Sequence, residues 1–186
     1  MTENKMAGNK TSGPRKPIWL KILIPILIVV VVAGIWIIKN KSAQPSGTSG
    51  DNPDFALHVT DSLDLDKLKS YGLPILIDFG ADSCIPCKEM APILEELNKE
   101  LKGKAIIRFV DVWKYQDLAN GYPINVIPTQ VLFDKDGKPY TPSDVKVTGM
   151  MTYSLKTTNE HVFTTHEGGL TKEQIMAMLM EMGLKE

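Results

Sequence analysis

The feature that most constrains this chain is an apolar run, Pro74 to Phe79, that leads straight into Cys84-Ile85-Pro86-Cys87. A nearly continuous apolar stretch of this length is the pattern of a strand covered on both faces. The residues after the cysteines change period: Met90, Ile93, Leu94 and Leu97 recur at helical spacing, to about Leu101. A strand therefore ends, the chain turns, and a helix begins at the cysteine pair. These are the only 2 cysteines in 186 residues. Two thiols at this spacing, the first at a helix N-terminus, can pass between dithiol and disulfide.

The flanking segments fit an α/β plan, with helices on both faces of a mixed sheet. Phe55–Val59 reads as a first strand, followed by a short helix through Leu63, Leu65 and Leu68 capped by Asp61 or Ser62. Pro92 falls inside the long helix and is expected to kink it. Residues 105–112 read as a second buried strand, Gln116–Asn120 as a short helix, and Thr129–Phe133 as a strand closed by a turn at Asp134–Gly137. Met151–Lys156 and His161–Thr165 read as a hairpin. The last helix starts at Thr171 with Gln174 three residues on, a capping box. Its apolar residues are Ile175, Met176, Leu179, Met180 and Met182.

The N-terminal part is of another kind. Ile22 to Ile38 is an uncharged run of 17 residues, separated from Ile18-Trp19-Leu20 only by Lys21. As a helix it spans roughly 25 Å, close to the thickness of a bilayer's hydrocarbon core. Five basic residues precede it and only Lys39 and Lys41 follow closely, so the positive-inside rule places the N-terminus in the cytoplasm. A cleaved signal peptide is the competing reading; the run is longer than a usual signal core. The expected organisation is a basic cytoplasmic segment (1–17), a transmembrane anchor (18–38), a polar Gly/Ser/Pro linker (39–53) and one domain (54–186). The formal net charge is −1 overall and +4 over the first 21 residues, leaving −5 for the rest. A mildly acidic outer domain offers no electrostatic footprint for nucleic acid.

Residues 77–94 resemble the active-site region of the thioredoxin family. The resemblance rests on Asp78 at the strand end, Cys84-Ile85-Pro86-Cys87, Lys88, Pro92 five residues past the second cysteine, Ile127-Pro128-Thr129, and Gly168 before the last helix. It implies a thioredoxin-like fold with a cis peptide before Pro128. Cys84 would be the nucleophile, Cys87 the resolving thiol, and buried Asp78 the base for the Cys87 proton. Ile127 and Pro128, with Ile85 and Pro86, would contact substrate. A proline before the second cysteine resembles the reducing members. Two departures stand out. Gly80 and Ser83 replace aromatic residues common in the family, and residues 138–167 exceed the usual connection before the last strand.

The expected function is a membrane-anchored thiol–disulfide oxidoreductase on the outer face of a bacterial plasma membrane, reducing protein disulfides. It would need no cofactor beyond the Cys84–Cys87 pair. Its electrons would come from an integral-membrane thiol carrier. The alternatives are a disulfide oxidase of the same fold and a tethered, non-catalytic binding module. Against each feature stands a plainer reading. A structural disulfide across so short a loop removes little unfolded-state entropy. His58, His161 and His166 lack the spacing of zinc ligands and read as surface or strand residues, so no metal is expected. The C-terminal methionines read as core packing rather than a copper site.

Overall fold

The computed structural model describes residues 52–143 and 149–185. The basic segment, the apolar span and residues 39–51 of the linker lie outside the described residues, as do residues 144–148 of the insertion. Among the described residues, no helix is long and apolar enough to cross a membrane.

Six strands and three α-helices lie among the described residues. They are β1 (His58–Val59), α1 (Leu65–Lys69), β2 (Ile75–Gly80), α2 (Ile85–Glu100), β3 (Ile106–Asp111), β4 (Thr129–Phe133), β5 (Met150–Ser154), β6 (His161–Glu167) and α3 (Lys172–Glu181), with short 3-10 turns at Pro53–Phe55 and Gln116–Ala119. The strands form one sheet in the order β1-β3-β2-β4-β6-β5. β1 and β2 run parallel to β3, while β4, β6 and β5 join antiparallel, so the sheet is mixed as expected.

Every residue of β2, β3 and β4 is buried, because the sheet is covered on both faces. Leu76, Ile107 and Leu132 face α2 and α3, where they meet Met90, Leu94, Leu97, Ile175 and Leu179. The alternate residues Ile75, Ile77, Phe79, Val110, Val131 and Phe133 pack under Leu68 of α1, with Leu118, Tyr122 and Phe163 at the margin. Helix α2 runs through Pro92 without a break in its assignment.

Several boundaries differ from the sequence reading. The first strand is only His58–Val59; Pro53–Phe55 is a 3-10 turn whose start is capped by Asn52, which accepts the Asp54 N–H. Proline's fixed φ and missing N–H suit that turn and not a paired strand. Helix α1 is capped by Asp64, which accepts Lys67 N–H at 3.0 Å, and not by Asp61 or Ser62. In α3 the capping box is present, but the buried face is Ile175, Met178, Leu179 and Met182. Met180, expected to pack, is 45% exposed, because it falls on the opposite side of the helical period. The segment 138–167 is also not all inserted. β6 pairs with β4 and belongs to the central sheet, leaving β5 as the added edge strand.

One cross-strand rung positions the site. His58 pairs with Phe109, Phe109 with Asp78, Asp78 with Gln130, Gln130 with His166, and His166 with Met150. Side chains of one rung project to one face, so the middle of this rung lies under α2.

Candidate active site

β2 ends at Gly80, and Ala81–Ser83 turns the chain into α2. Asp111, at the end of β3, holds that turn. Its Oδ2 accepts Asp82 N–H at 3.1 Å, and its Oδ1 accepts Trp113 and Lys114 N–H at 3.0 Å each. Burial pushes the Asp111 carboxyl up, but these backbone donors and the nearby Lys114 ammonium outweigh it and hold the pKa below the usual value. Lys114 also pairs with Asp82. Cys84 N–H then donates to Ala81 carbonyl at 3.1 Å, closing the turn.

Cys84 is the N-cap of α2, and its Sγ accepts Cys87 N–H at 3.3 Å. The two cysteines are joined in a disulfide, with Cα atoms 5.3 Å apart. Cys84 is 9% exposed and Cys87 3%, so the first cysteine is the more exposed residue. Ala81, Cys84, Cys87 and Ile127 form one small apolar cluster, which brings the loop before β4 against the sulfurs. The Ile127–Pro128 peptide is cis. Pro128 carbonyl accepts Gly168 N–H at 2.9 Å, tying this loop to the chain after β6. Ile85, next to Cys84, is 73% exposed, and Val126, next to Ile127, is 50% exposed. Pro86 is exposed beside Ile85, whereas Pro128 is buried.

Asp78 is completely buried. Its Oδ1 accepts the Gln130 amide N–H at 2.7 Å, while Oδ2 has no hydrogen-bond partner among the described residues. Burial raises its pKa from 3.8 to about 7, opposed by the Gln130 hydrogen bond. Its relation to Cys87 is fixed through Gly80. A Cβ on Gly80 would lie 3.2 Å from Cys87 Sγ and 3.4 Å from Asp78 Oδ2, so the two atoms are within 6.6 Å of each other, the sum of those distances. The same Cβ would come to 2.9 Å from Phe109 Cε2. Phe109 from β3 has taken the space a larger residue 80 would need. It also lines a cavity of about 180 Å³ beside Cys87, shared with Leu57, Ala81 and Leu94.

All seven residues singled out from the sequence thus gather at the end of β2. Cys84, Cys87, Ile85, Pro86 and Ile127 lie at or near the surface, with Asp78 behind them. Three further residues at the site are not singled out by sequence reasoning: Asp111, Gln130 and His166. A large polar residue directly before the apolar run Val131–Phe133 of β4 is the available signal for Gln130. His166, from its sequence a surface or strand residue, is a buried strand residue, with Nδ1 2.8 Å from Gln130 Oε1. Among the described residues, no three His, Cys, Asp or Glu side chains are grouped as metal ligands.

A family model for Thioredoxin matches residues 60–143. Chloroplastic thioredoxin Y of Oryza sativa subsp. japonica is 37% identical over 111 residues, which are 60% of this chain and 63% of that protein. Thioredoxin of Rickettsia felis is 40% identical over 83 residues, 45% of this chain and 78% of the relative. Among solved structures, a mutant thioredoxin from Halobacterium salinarum aligns over 75% of this chain and 98% of its own, at 28% identity and a TM-score of 0.48. The chain spans 63%, 42% and 43% of the lengths of three chloroplastic relatives, thioredoxins Y, Y1 and Y2.

Proposed function

This chain belongs to the thioredoxin family, and from that premise we propose that it is a thiol–disulfide oxidoreductase that reduces protein disulfides. The observation that carries the reading is the geometry of the two sulfurs. Cys84 caps a helix and accepts a backbone N–H, Cys87 is bonded to it, and a buried carboxyl lies within 6.6 Å of Cys87 Sγ.

In the reduced protein, the helix N-terminus and the Cys87 N–H favour negative charge on Cys84 Sγ. That thiolate attacks one sulfur of a substrate disulfide, forms a mixed disulfide, and releases the other substrate sulfur as a thiolate. Asp78 Oδ2 then takes the proton from Cys87, whose sulfur attacks Cys84 Sγ. The Cys84–Cys87 disulfide forms, and the second substrate sulfur leaves. Two electrons pass from the cysteine pair to the substrate. Ile127, packed against the cysteines, offers main chain for an extended substrate segment, and exposed Ile85 and Pro86 offer side-chain contact.

The direction is proposed on Pro86 before the resolving cysteine. The location rests on the sequence of residues 1–38: an apolar run flanked by asymmetric basic charge supports a single-pass anchor, cytoplasmic N-terminus and outward domain of a bacterial plasma membrane. A reductase there draws its electrons from an integral-membrane thiol carrier.

Reduction of insulin disulfides by the full chain with dithiothreitol tests the chemistry. Cys84→Ser abolishes turnover if the reading is right; undiminished turnover refutes it. Equilibration with glutathione tests direction: ~−270 mV marks a reductase, ~−120 mV a strong oxidant. Protease added to intact spheroplasts should digest residues 54–186, and protection would refute the outward orientation.

A further inference from the structure

Asp78 does not stand alone in the core. It occupies the middle of a rung in which Asp78, Gln130 and His166 are direct cross-strand partners on β2, β4 and β6. All three are buried, at 0%, 0% and 5% exposure. Burying polar side chains costs less when they hydrogen-bond to one another, and these three are linked through Gln130. Gln130 Nε2 donates to Asp78 Oδ1 at 2.7 Å, and Gln130 Oε1 meets His166 Nδ1 at 2.8 Å.

The chemistry of the amide gives this chain a direction. A glutamine side chain has one donor end and one acceptor end. With Oε1 toward His166, the imidazole must carry its proton on Nδ1 and donate it. The amide is then held with Nε2 toward the carboxyl group, where Met90 Sδ, a weak acceptor 3.6 Å away, also suits a donor. The far edge of the ring is enclosed as well: a Cβ on Gly149 would lie 3.0 Å from His166 Nε2, so the start of the added strand β5 packs against it. Oδ1 is therefore engaged, and Oδ2, on the side of Cys87, is the oxygen left without a partner among the described residues.

We propose that Gln130 and His166 are positioning residues for Asp78: His166 orients the Gln130 amide, and the amide occupies Oδ1 so that Oδ2 is the oxygen that exchanges a proton with Cys87. This rests on the thiol–disulfide reading above and assigns to that reaction two residues beyond the cysteines and the acid. Among the described residues, the titratable groups around Asp78 are Cys87 from α2 and, through Gln130, His166 from β6; β3 presents the uncharged Phe109. Gln130 favours the ionised carboxylate, so its loss and the loss of its orienting histidine act in the same direction.

The test is the Asp78 titration, followed by carboxyl-carbon NMR in the reduced full chain without substrate. Wild type is compared with Gln130→Leu, His166→Phe and the double variant. Losing a hydrogen bond to a charged group should raise the Asp78 midpoint by about one to two pH units in Gln130→Leu. His166→Phe should raise it by less, and the double variant no further than Gln130→Leu. The pH profile of disulfide exchange should move to higher pH by the same amount. At pH 7 the rate should then fall about fivefold to fiftyfold and recover in alkali. An unmoved midpoint in either folded single variant overturns the proposal, as does a double-variant shift equal to the two single shifts added. If Gln130→Leu does not fold, the His166→Phe midpoint decides alone. Because the titration is read without substrate, its failure is separate from a failure of the exchange reaction, which Cys84→Ser tests.

Discussion

Replacing Asp78 by asparagine should change the stability of the folded chain by an amount that grows more favourable as pH rises. Asp78 is fully buried, and its pKa rises from 3.8 to about 7, first because of burial. An acid with a raised folded pKa binds its proton more tightly when folded. Its contribution to stability is complete below about pH 4 and is lost as pH rises to about 7. At roughly 1.4 kcal/mol per unit, the full loss is about 4 kcal/mol. Between pH 5 and pH 8 it amounts to about 2.5 kcal/mol. Asparagine keeps an oxygen for Gln130 Nε2 but leaves an amide NH₂ where Oδ2 was, at a cost of about 1–3 kcal/mol. That cost does not vary with pH and cancels when the two pH values are compared. Urea unfolding of the oxidised full chain in mild detergent, wild type and Asp78→Asn, at pH 5 and pH 8, is the assay. The stability of the variant relative to wild type should grow by about 2.5 kcal/mol from the lower to the higher pH. A change below about 0.5 kcal/mol would refute the reasoning, since it would mean that the carboxyl group is not kept protonated by burial.

Exchange kinetics should show the other side of that substitution, with Asp78→Asn slowing the resolving step at neutral pH by about 10²-fold while initial attack by Cys84 persists. Gly80→Ala should cost about 1–3 kcal/mol in urea unfolding: its Cβ would lie 2.9 Å from Phe109 Cε2 and 3.2 Å from Cys87 Sγ. The Phe109 ring can yield into the neighbouring cavity, but Cys87 is held in its helix. Asp111→Asn should lose about 2 kcal/mol or more at pH 7, because three backbone N–H groups converge on that carboxylate. The deficit should shrink as pH falls below the ordinary carboxylate range toward the lowered Asp111 pKa, which acid titration of both proteins would follow. Thr171→Ala should lower stability by about 1 kcal/mol by removing the capping box of α3, measurable as a drop in urea midpoint.

The sequence by itself determined the elements whose signals are local. Burial on both faces makes β2 a near-continuous apolar run, and helical period and capping residues mark α2 and α3. The adjacency of Cys84 and Cys87 is likewise a property of four consecutive residues at a helix start. Short elements were less legible, because Asn52 and Asp64 each cap their turn through one side-chain hydrogen bond, and any of several nearby polar residues can supply such a bond. Tertiary structure alone decided which distant side chains meet. Asp78 and Gln130 are 52 residues apart in the chain, and Gln130 and His166 are 36 apart. Only the register of β2, β4 and β6 sets them on one rung. The same is true of Gly80: as a letter it is a missing aromatic, whereas in the fold it is the point where Phe109 and Cys87 approach too closely for a Cβ to enter without displacing them. Local periodicity is written in neighbouring residues, but strand register comes from the packing of the whole sheet, and the surroundings of the buried acid are set there.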